Sequence, residues 1–409
     1  MKLLHTSDWH LGRSLYDRKR YHEFEAFLDW LIKFIDDEHI GLLLVSGDIF
    51  DSTTPSNRAQ ELYYHFLSRL PATGCRHAVI TGGNHDSPTF LDAPKNLLGA
   101  LNIHVVGAMT GNPADEIIVL KDKNAENEAI VCAVPFLRDR DLRTVEGGES
   151  PDGKTQKLLQ GLEQHYKEIA ALAKKFQDSN YPVPVIGMGH LFTRNAITTE
   201  GDGVRELYIG SIAHVDGNRI SGGFDYMALG HLHMAQRAGG SEIVRYSGSP
   251  IPMGFSESKQ TKKVIVADFQ GSAPVINEHS VPCFRKLAAI SGDTGSVSER
   301  IEELKAANTE AWLEIEITSP APASELTSHF DELLKGSRLE ILRIKNRSIV
   351  NIALAPVAEN ETLDDLDDSE VFSRCLDAFK ITEPGERRIL TETYREAIDS
   401  MVNEDKNAI

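Results

Sequence analysis

Two hydrophobic textures alternate along the first 270 positions. Runs that are apolar throughout read as strands buried on both faces, and segments whose apolar residues recur every three or four positions read as amphipathic helices. Leu3 and Leu4 open the chain as a short strand. Tyr21, Phe24, Leu28, Leu31 and Ile35 mark a helix over residues 19–38, ended by Gly41. Residues 42–46 form an apolar strand. Leu62, Phe66 and Leu70 place a helix over 57–70, stopped before Pro71. Residues 78–81 form a third strand, and a short helix covers 89–100. This alternation predicts an α/β fold with a largely parallel sheet covered on both faces.

Further on, residues 115–137 read as two strands around a polar turn at 121–128, residues 141–155 as a polar loop, and residues 156–178 as a helix. Buried strands follow at 183–190 and 226–233, and strands at 243–247 and 263–269 finish the domain. From about Cys283 the texture changes. Strands at 285–291, 311–318 and 338–345 alternate with helices at 297–308 and 324–335, a small separate α/β module. Ser296 and Glu299 have the spacing of a capping box, which predicts a helix start there. Residues 359–370 are acidic with no basic residue and read as a linker or solvated segment. The last forty residues predict two amphipathic helices, one through Phe372, Cys375, Leu376 and Phe379, the other through Leu390, Tyr394 and Ile398, separated by a Pro384-Gly385 turn. The domain limits expected are 1–280, 281–350, 351–370 and 371–409.

The chain has 409 residues, 41% hydrophobic and 25% charged, which fits two or three globular domains with real cores. No apolar run approaches the roughly 20 residues of a membrane span, and the first residues do not read as a signal peptide. Cys75, Cys132, Cys283 and Cys375 are far apart and form no C-x-x-C pair, so neither a disulfide framework nor a thiolate metal site is indicated. A reducing, cytoplasmic location is expected. The formal net charge is -18, so if nucleic acid is the substrate, phosphate contacts must be local or a partner must supply basic surface.

The candidate chemistry lies where strands end. Asp8 and His10, Asp48, Asn84 and His85, His190, and His231 and His233 follow five strands in chain order. In an extended chain alternate side chains point the same way, so Asp8 and His10 are expected to face one side and Trp9 the other, with His231 and His233 repeating the device. Glycines precede Asp48, Asn84, His190 and His231, and each is expected to let the backbone turn sharply off the sheet. Loops from several strands converge at the C-terminal edge of an open α/β sheet. Nitrogen and oxygen ligands without thiolate suit Mn²⁺, Fe²⁺, Mg²⁺ or Zn²⁺. Seven ligands exceed the need of one ion and suit two that share a carboxylate, the arrangement that hydrolyses phosphate esters.

D-x-H, G-D, G-N-H-D, G-H and G-H-x-H in this order resemble the calcineurin-like metallophosphoesterase signature over roughly residues 1–270. Within that superfamily the chain resembles the SbcD family, the nuclease subunits of bacterial SbcCD complexes. The stretches that carry this are residues 5–12, 46–51, 83–86 and 246–250, and the match extends over essentially the full length. The resemblance implies a sandwich of mixed sheets flanked by helices, a small C-terminal α/β capping domain that contacts DNA, and a terminal helix pair that docks on the SbcC ATPase. It implies two divalent ions, Mn²⁺ physiologically: one held by Asp8, His10, Asp48 and His233, the other by Asp48, Asn84, His190 and His231. His85 would act beside them, donating a proton to the leaving oxygen or stabilising the phosphate, with Asp86 either orienting its ring or serving only as a turn residue. The implied activities are 3′-to-5′ double-strand exonuclease and single-strand or hairpin endonuclease, gated by the ATPase, in DNA replication, recombination and repair. A homodimer formed through the helices near 57–70 and 89–100, whose apolar stripes read equally as core, would complete a heterotetramer with SbcC in the cytoplasm, on the nucleoid. The basic loop at 13–20 would meet phosphates or simply be solvated.

Archaeal and eukaryotic relatives carry a histidine where this chain has Asp51, so a second catalytic imidazole is missing and Asp51 is left to orient neighbours. The alternatives are a metallophosphatase or small-molecule phosphodiesterase of the same superfamily, and a non-catalytic scaffold. Protein phosphatases usually place an arginine shortly after the G-D aspartate, and residues 47–53 include none. Intact ligands argue against the scaffold.

Overall fold

The computed structural model describes residues 1–142, 150–177, 183–194, 196–197, 215–271, 273–319, 323–347, 368–379 and 381–406. It divides into two compact units, Met1–Arg285 and Lys286–Ile409.

Two six-stranded sheets make the first unit. One runs in the order Pro274–Ser280, Lys263–Phe269, Lys2–Thr6, Leu42–Ser46, His77–Thr81, Ile103–Val106. Its last four strands are parallel, and the two that end the unit's chain join antiparallel. The other sheet runs Gln236–Arg237, Val244–Tyr246, Tyr226–Gly230, Val185–His190, Asn127–Ala133, Ile117–Lys121. Its four central strands are parallel and both outer ones antiparallel.

Strand alternation explains why these strands are apolar throughout. Leu43 and Val45 pack under Phe24, Leu28, Leu31 and Ile35 of the helix Tyr21–Asp37 and under Leu62 and Phe66 of the helix Asn57–Arg69. Leu42 and Leu44 point the opposite way and meet Val131, Ile186, Met188 and Ala228 of the other sheet. Ile130, Cys132 and Met227 in turn pack beneath Leu158, Leu162, Tyr166 and Ile169 of the helix Pro151–Ala173. Each sheet is thus covered by helices on one face and by its partner sheet on the other, a four-layer sandwich of mixed sheets.

Several local expectations are corrected. The first helix ends at Asp37, and the left-handed step that follows it is made by His39 (φ 55°), not Gly41. Residues 89–100 hold two short helices, Pro88–Asp92 and Lys95–Gly99. The helix expected from 156 starts at Pro151, because Ser150 accepts from Gly153 N and proline suits a first turn. Of the loop expected at 141–155, residues 143–149 lie outside the described residues. Ile103–Val106 and the edge strand Pro274–Ser280 have no counterpart among the expected elements.

In the second unit Lys286–Gly292, Glu310–Ile317 and Arg338–Asn346 form a parallel sheet. Val297, Ile301 and Leu304 of Thr294–Ala306 and Leu326 and Phe330 of Ala323–Leu334 pack on it. Asp293, not Ser296, caps the first of these helices: its carboxylate accepts from Ser296 N at 2.8 Å and from Ser296 Oγ at 2.9 Å. The helix therefore starts at Thr294, three residues before the expected 297.

Beyond the sheet, the helices Asp368–Ala378 and Pro384–Lys406 stack Phe372 on Tyr394 with centroids 4.1 Å apart. Pro384 and Gly385 open the second helix instead of forming the turn before it, as the fixed φ of proline favours. The expected acidic linker lies outside the described residues except for its last three positions, which are already helical. Among the described residues no helix is long and apolar enough to cross a membrane.

Candidate metal centre

The two sheets touch directly at the C-terminal ends of their parallel strands. Ser46 Oγ donates to the Ala228 carbonyl at 3.1 Å, and His190 Nδ1 donates to the Ser46 carbonyl at 2.9 Å. A Cβ on Gly230 would lie 1.8 Å from Ser46 O, and one on Gly83 would lie 2.2 Å from Asp48 N. Of the four glycines before ligands, only Gly47 has a positive φ, at 83°. Space, not turning, is what Gly83, Gly189 and Gly230 supply, which corrects the expectation for those three.

The unusual backbone belongs to the ligands themselves. Asp8 (φ 53°), His10 (φ 48°), Asp48 (φ 49°) and His231 (φ 102°) all lie at positive φ. Such conformations cost of order 1–3 kcal/mol each and persist where the surroundings enforce them. The strands stop at Thr6 and Gly230, so simple strand alternation does not bring Asp8 to His10 or His231 to His233. Trp9 does face away, into the helix layer against Phe27 and Phe66.

All seven expected ligands come together. Ligand atoms of Asp8, His10 and His233 lie within 4.8 Å of one another, as do those of Asp48, His190 and His231. Asp48 Oδ2 stands between the groups, 3.6 Å from His10 Nε2 and 3.3 Å from His190 Nε2. Asn84 Oδ1 is 2.9 Å from His190 Nε2.

The proton arrangement shows what this cluster fits. His190 Nδ1 is committed to a carbonyl and His233 Nδ1 to the Glu257 carboxylate at 3.0 Å, and both acceptors require an N–H there. When neutral, both rings therefore turn lone pairs inward. His233 Nε2 faces His10 Nε2 at 3.2 Å, and the buried His231 Nε2 has no hydrogen-bond partner among the described residues. Inward lone pairs beside carboxylates suit divalent cations.

Burial pushes Asp8 up to about 6 and His10 down to about 4. Burial also opposes charge on Asp48, but the His190 charge and hydrogen bond outweigh it and hold the carboxyl well below its usual range. Burial likewise opposes a charged His190, yet Asp48 raises it to about 9. The proton so held at His190 Nε2 stands where a cation would compete with it. Burial and the neighbouring His190 charge drive His231 well below the usual imidazole range.

His85 stands beside the cluster, its ring edge-on to His10 with centroids 4.8 Å apart. Its Nδ1 donates to the Asp51 carbonyl at 2.8 Å. Asp86 does not orient it: its carboxylate accepts from the backbone N–H of Ile49, Phe50 and Gly83, and so ties two loops together. The Asp51 carbonyl holds the ring instead, and Asp51 Oδ1 lies 3.3 Å from both His10 Nδ1 and Arg13 Nη1.

Sequence reasoning missed Glu257, Lys262 and Ser7. Glu257 is fully buried, and although burial opposes its charge, the hydrogen bond from His233 and the Lys262 charge hold it down to about 2. Ser7 Oγ donates to Asp8 Oδ2 at 2.5 Å. Only the serine, one residue from a ligand, carried a signal in its position.

Residues 1–235 match the calcineurin-like phosphoesterase family, and residues 283–379 match the type 5 capsule protein repressor C-terminal domain. The SbcD subunit of nuclease SbcCD from Escherichia coli K12 is 34% identical over 392 residues, covering 95% of this chain and 96% of that protein. Its counterpart in Rhodobacter capsulatus is 30% identical over 373 residues, covering 87% and 90%. The one in Bacillus subtilis is 32% identical over 271 residues, covering 66% of each. With the candidate ligand cluster at the convergent edge of two mixed sheets, these likenesses establish that the chain belongs to the SbcD family of metal-dependent, phosphodiester-hydrolysing nucleases.

Proposed function

We propose that this chain is the nuclease subunit of an SbcCD-type complex that cleaves DNA with two divalent ions, Mn²⁺ in the cell. Asp8, His10, Asp48 and His233 hold one ion, and Asp48, Asn84, His190 and His231 the other. The observation that carries this reading is the position of the Asp48 carboxylate between two groups of ligand atoms. Bound there, the ions supply Lewis-acid charge stabilisation and acidify a water. His85 in its imidazolium form, with Nδ1–H held by the Asp51 carbonyl, gives the proton on its other nitrogen to the leaving oxygen and is left as the neutral Nδ1–H ring. Asp51 keeps His85 and His10 in register from the two ends of one residue.

The substrates are double-stranded ends, cut 3′ to 5′, and single strands or hairpins, cut internally, with SbcC and ATP controlling access. The protein works in the cytoplasm, on the nucleoid, as a homodimer within a heterotetramer. Residues 1–280 carry the chemistry, 281–350 cap the DNA, 351–370 link, and 371–409 dock on SbcC. The division of the chain at Arg285 and the stacked terminal helices support this allocation. The net charge of -18 supports a partner that supplies DNA-binding surface.

The test is cleavage of a DNA hairpin and of a generic phosphomonoester with Mn²⁺, with and without SbcC and ATP. Hairpin cleavage is expected, lost in Asp48→Ala together with metal, and lost in His85→Gln with metal retained. A preference for the phosphomonoester would favour the phosphatase reading, and metal loss in His85→Gln would refute the role given to His85.

A further inference from the structure

Glu257 sits in the short turn Phe255–Glu257 and is 0% exposed, and Lys262 is 6% exposed. Neither belongs to the ligand set. Glu257 Oε1 accepts from His233 Nδ1 at 3.0 Å. Its other oxygen accepts from Lys262 Nζ at 2.5 Å, Met253 N at 2.9 Å and Ser249 Oγ at 3.5 Å, which prevents the carboxylate from rotating. Lys262 Nζ also donates to the His233 carbonyl at 3.0 Å, and Ser249 N donates to the same carbonyl at 3.1 Å. His233 is therefore gripped at both its ring and its main chain by one buried ion pair.

We propose that Glu257 and Lys262 are a positioning pair for His233: they fix its tautomer and ring direction and so set the affinity of the ion site it shares with Asp8 and His10. This rests on the reading of His233 as a metal ligand. Stability does not account for the pair, since a buried ion pair replaced by apolar residues of similar volume is often neutral or stabilising. Position does account for it. A carboxylate behind a ligating imidazole fixes which nitrogen carries the proton and makes the other a better donor, and losing such a partner typically costs about 10- to 100-fold in metal affinity or activity. Among the described residues no comparable carboxylate backs His190 or His231. The first donates to the Ser46 carbonyl, and the second takes its fixed place through its backbone N–H, which donates to Asp8 Oδ1 at 2.9 Å. The effect should therefore fall on one site.

The experiment compares the full chain with Glu257→Gln and with the apolar double variant Glu257→Leu/Lys262→Met. Mn²⁺ binding is followed by calorimetry and electron paramagnetic resonance, and the His233 tautomer by nitrogen-15 NMR of metal-free protein. We expect the double variant to fold with a lowered denaturant midpoint, because the buried Met253 N–H and His233 Nδ1–H lose their acceptor. One of its two sites should weaken by about 10- to 100-fold, the other by less than about 3-fold. Glu257→Gln should weaken the same site, and the wild-type Nδ1–H form of His233 should become a mixture in the double variant. Wild-type affinity at both sites in either variant, or equal weakening of both sites, would overturn the inference. A wild-type chain that binds no divalent ion would instead overturn the metal reading on which it rests.

Discussion

His5 and His190 are both buried, and their surroundings send them in opposite directions. Burial alone would keep either ring neutral, but Asp48 beside His190 raises it to about 9. Among the described residues no carboxylate acts on His5 to do the same. Its Nδ1 meets the Tyr226 hydroxyl at 3.0 Å, and burial, outweighing a hydrogen bond to the Leu229 backbone, takes it down to about 3. The sign of its effect on stability follows. The unfolded chain takes up a proton below about 6.5, while the folded chain refuses it until about 3, so stability from the neutral ring is complete above 6.5 and lost as pH falls towards 3. At pH 5 the loss is about 2 kcal/mol, from 1.36 kcal/mol per pH unit. Urea unfolding of metal-free wild type and His5→Gln at pH 7 and pH 5 checks this. The fall in stability between the two pH values should shrink by about 2 kcal/mol in the variant, and an unchanged fall would count against it.

Elements meet here by leaving side chains out. Stacked sheets usually lie about 10 Å apart, yet the strand ending in Gly230 comes against the Ser46 carbonyl of the other sheet. Gly230→Ala would press a methyl into backbone that cannot yield, and should cost about 3 kcal/mol, the upper end of overpacking, and weaken both ion sites together. Gly217→Ala, whose added Cβ would find nothing closer than 3.6 Å, should leave both unchanged. Denaturant midpoints and Mn²⁺ titrations of the two variants decide it. This closeness also explains what the sequence disclosed. Long helices and continuous apolar strands were legible because residues 42–45 and the stripe from Phe24 to Ile35 repeat one period over several residues. The four-residue strand Ile103–Val106 was too short to show a period. The ligands were legible because each lies at or just past a strand end. The reason for their glycines was not, because it depends on a second sheet distant in sequence. Glu257 was invisible for the same reason: its partner His233 is 24 residues away with no spacing rule between them.

For the whole molecule, the apolar stripes that read as dimer contact or as core divide into core and surface. Leu62 and Phe66 are buried under the first sheet, so they cannot serve a dimer. Leu97 is 72% exposed and Leu101 44%, one helical turn apart at the segment Lys95–Gly99 and just beyond it, while Leu98 between them packs inward. A chain of net charge -18 repels its own copy, so self-association needs apolar contact to offset that repulsion. Leu97 and Leu101 are placed to provide it, far from any ligand in sequence. Leu97→Glu adds a carboxylate to each copy at such a contact, where two like charges meet and both must be desolvated. Sedimentation of the wild type should show a dimer, and Leu97→Glu should shift it to monomer with Mn²⁺ binding unchanged. A variant that sediments as the wild type does would place the dimer contact elsewhere.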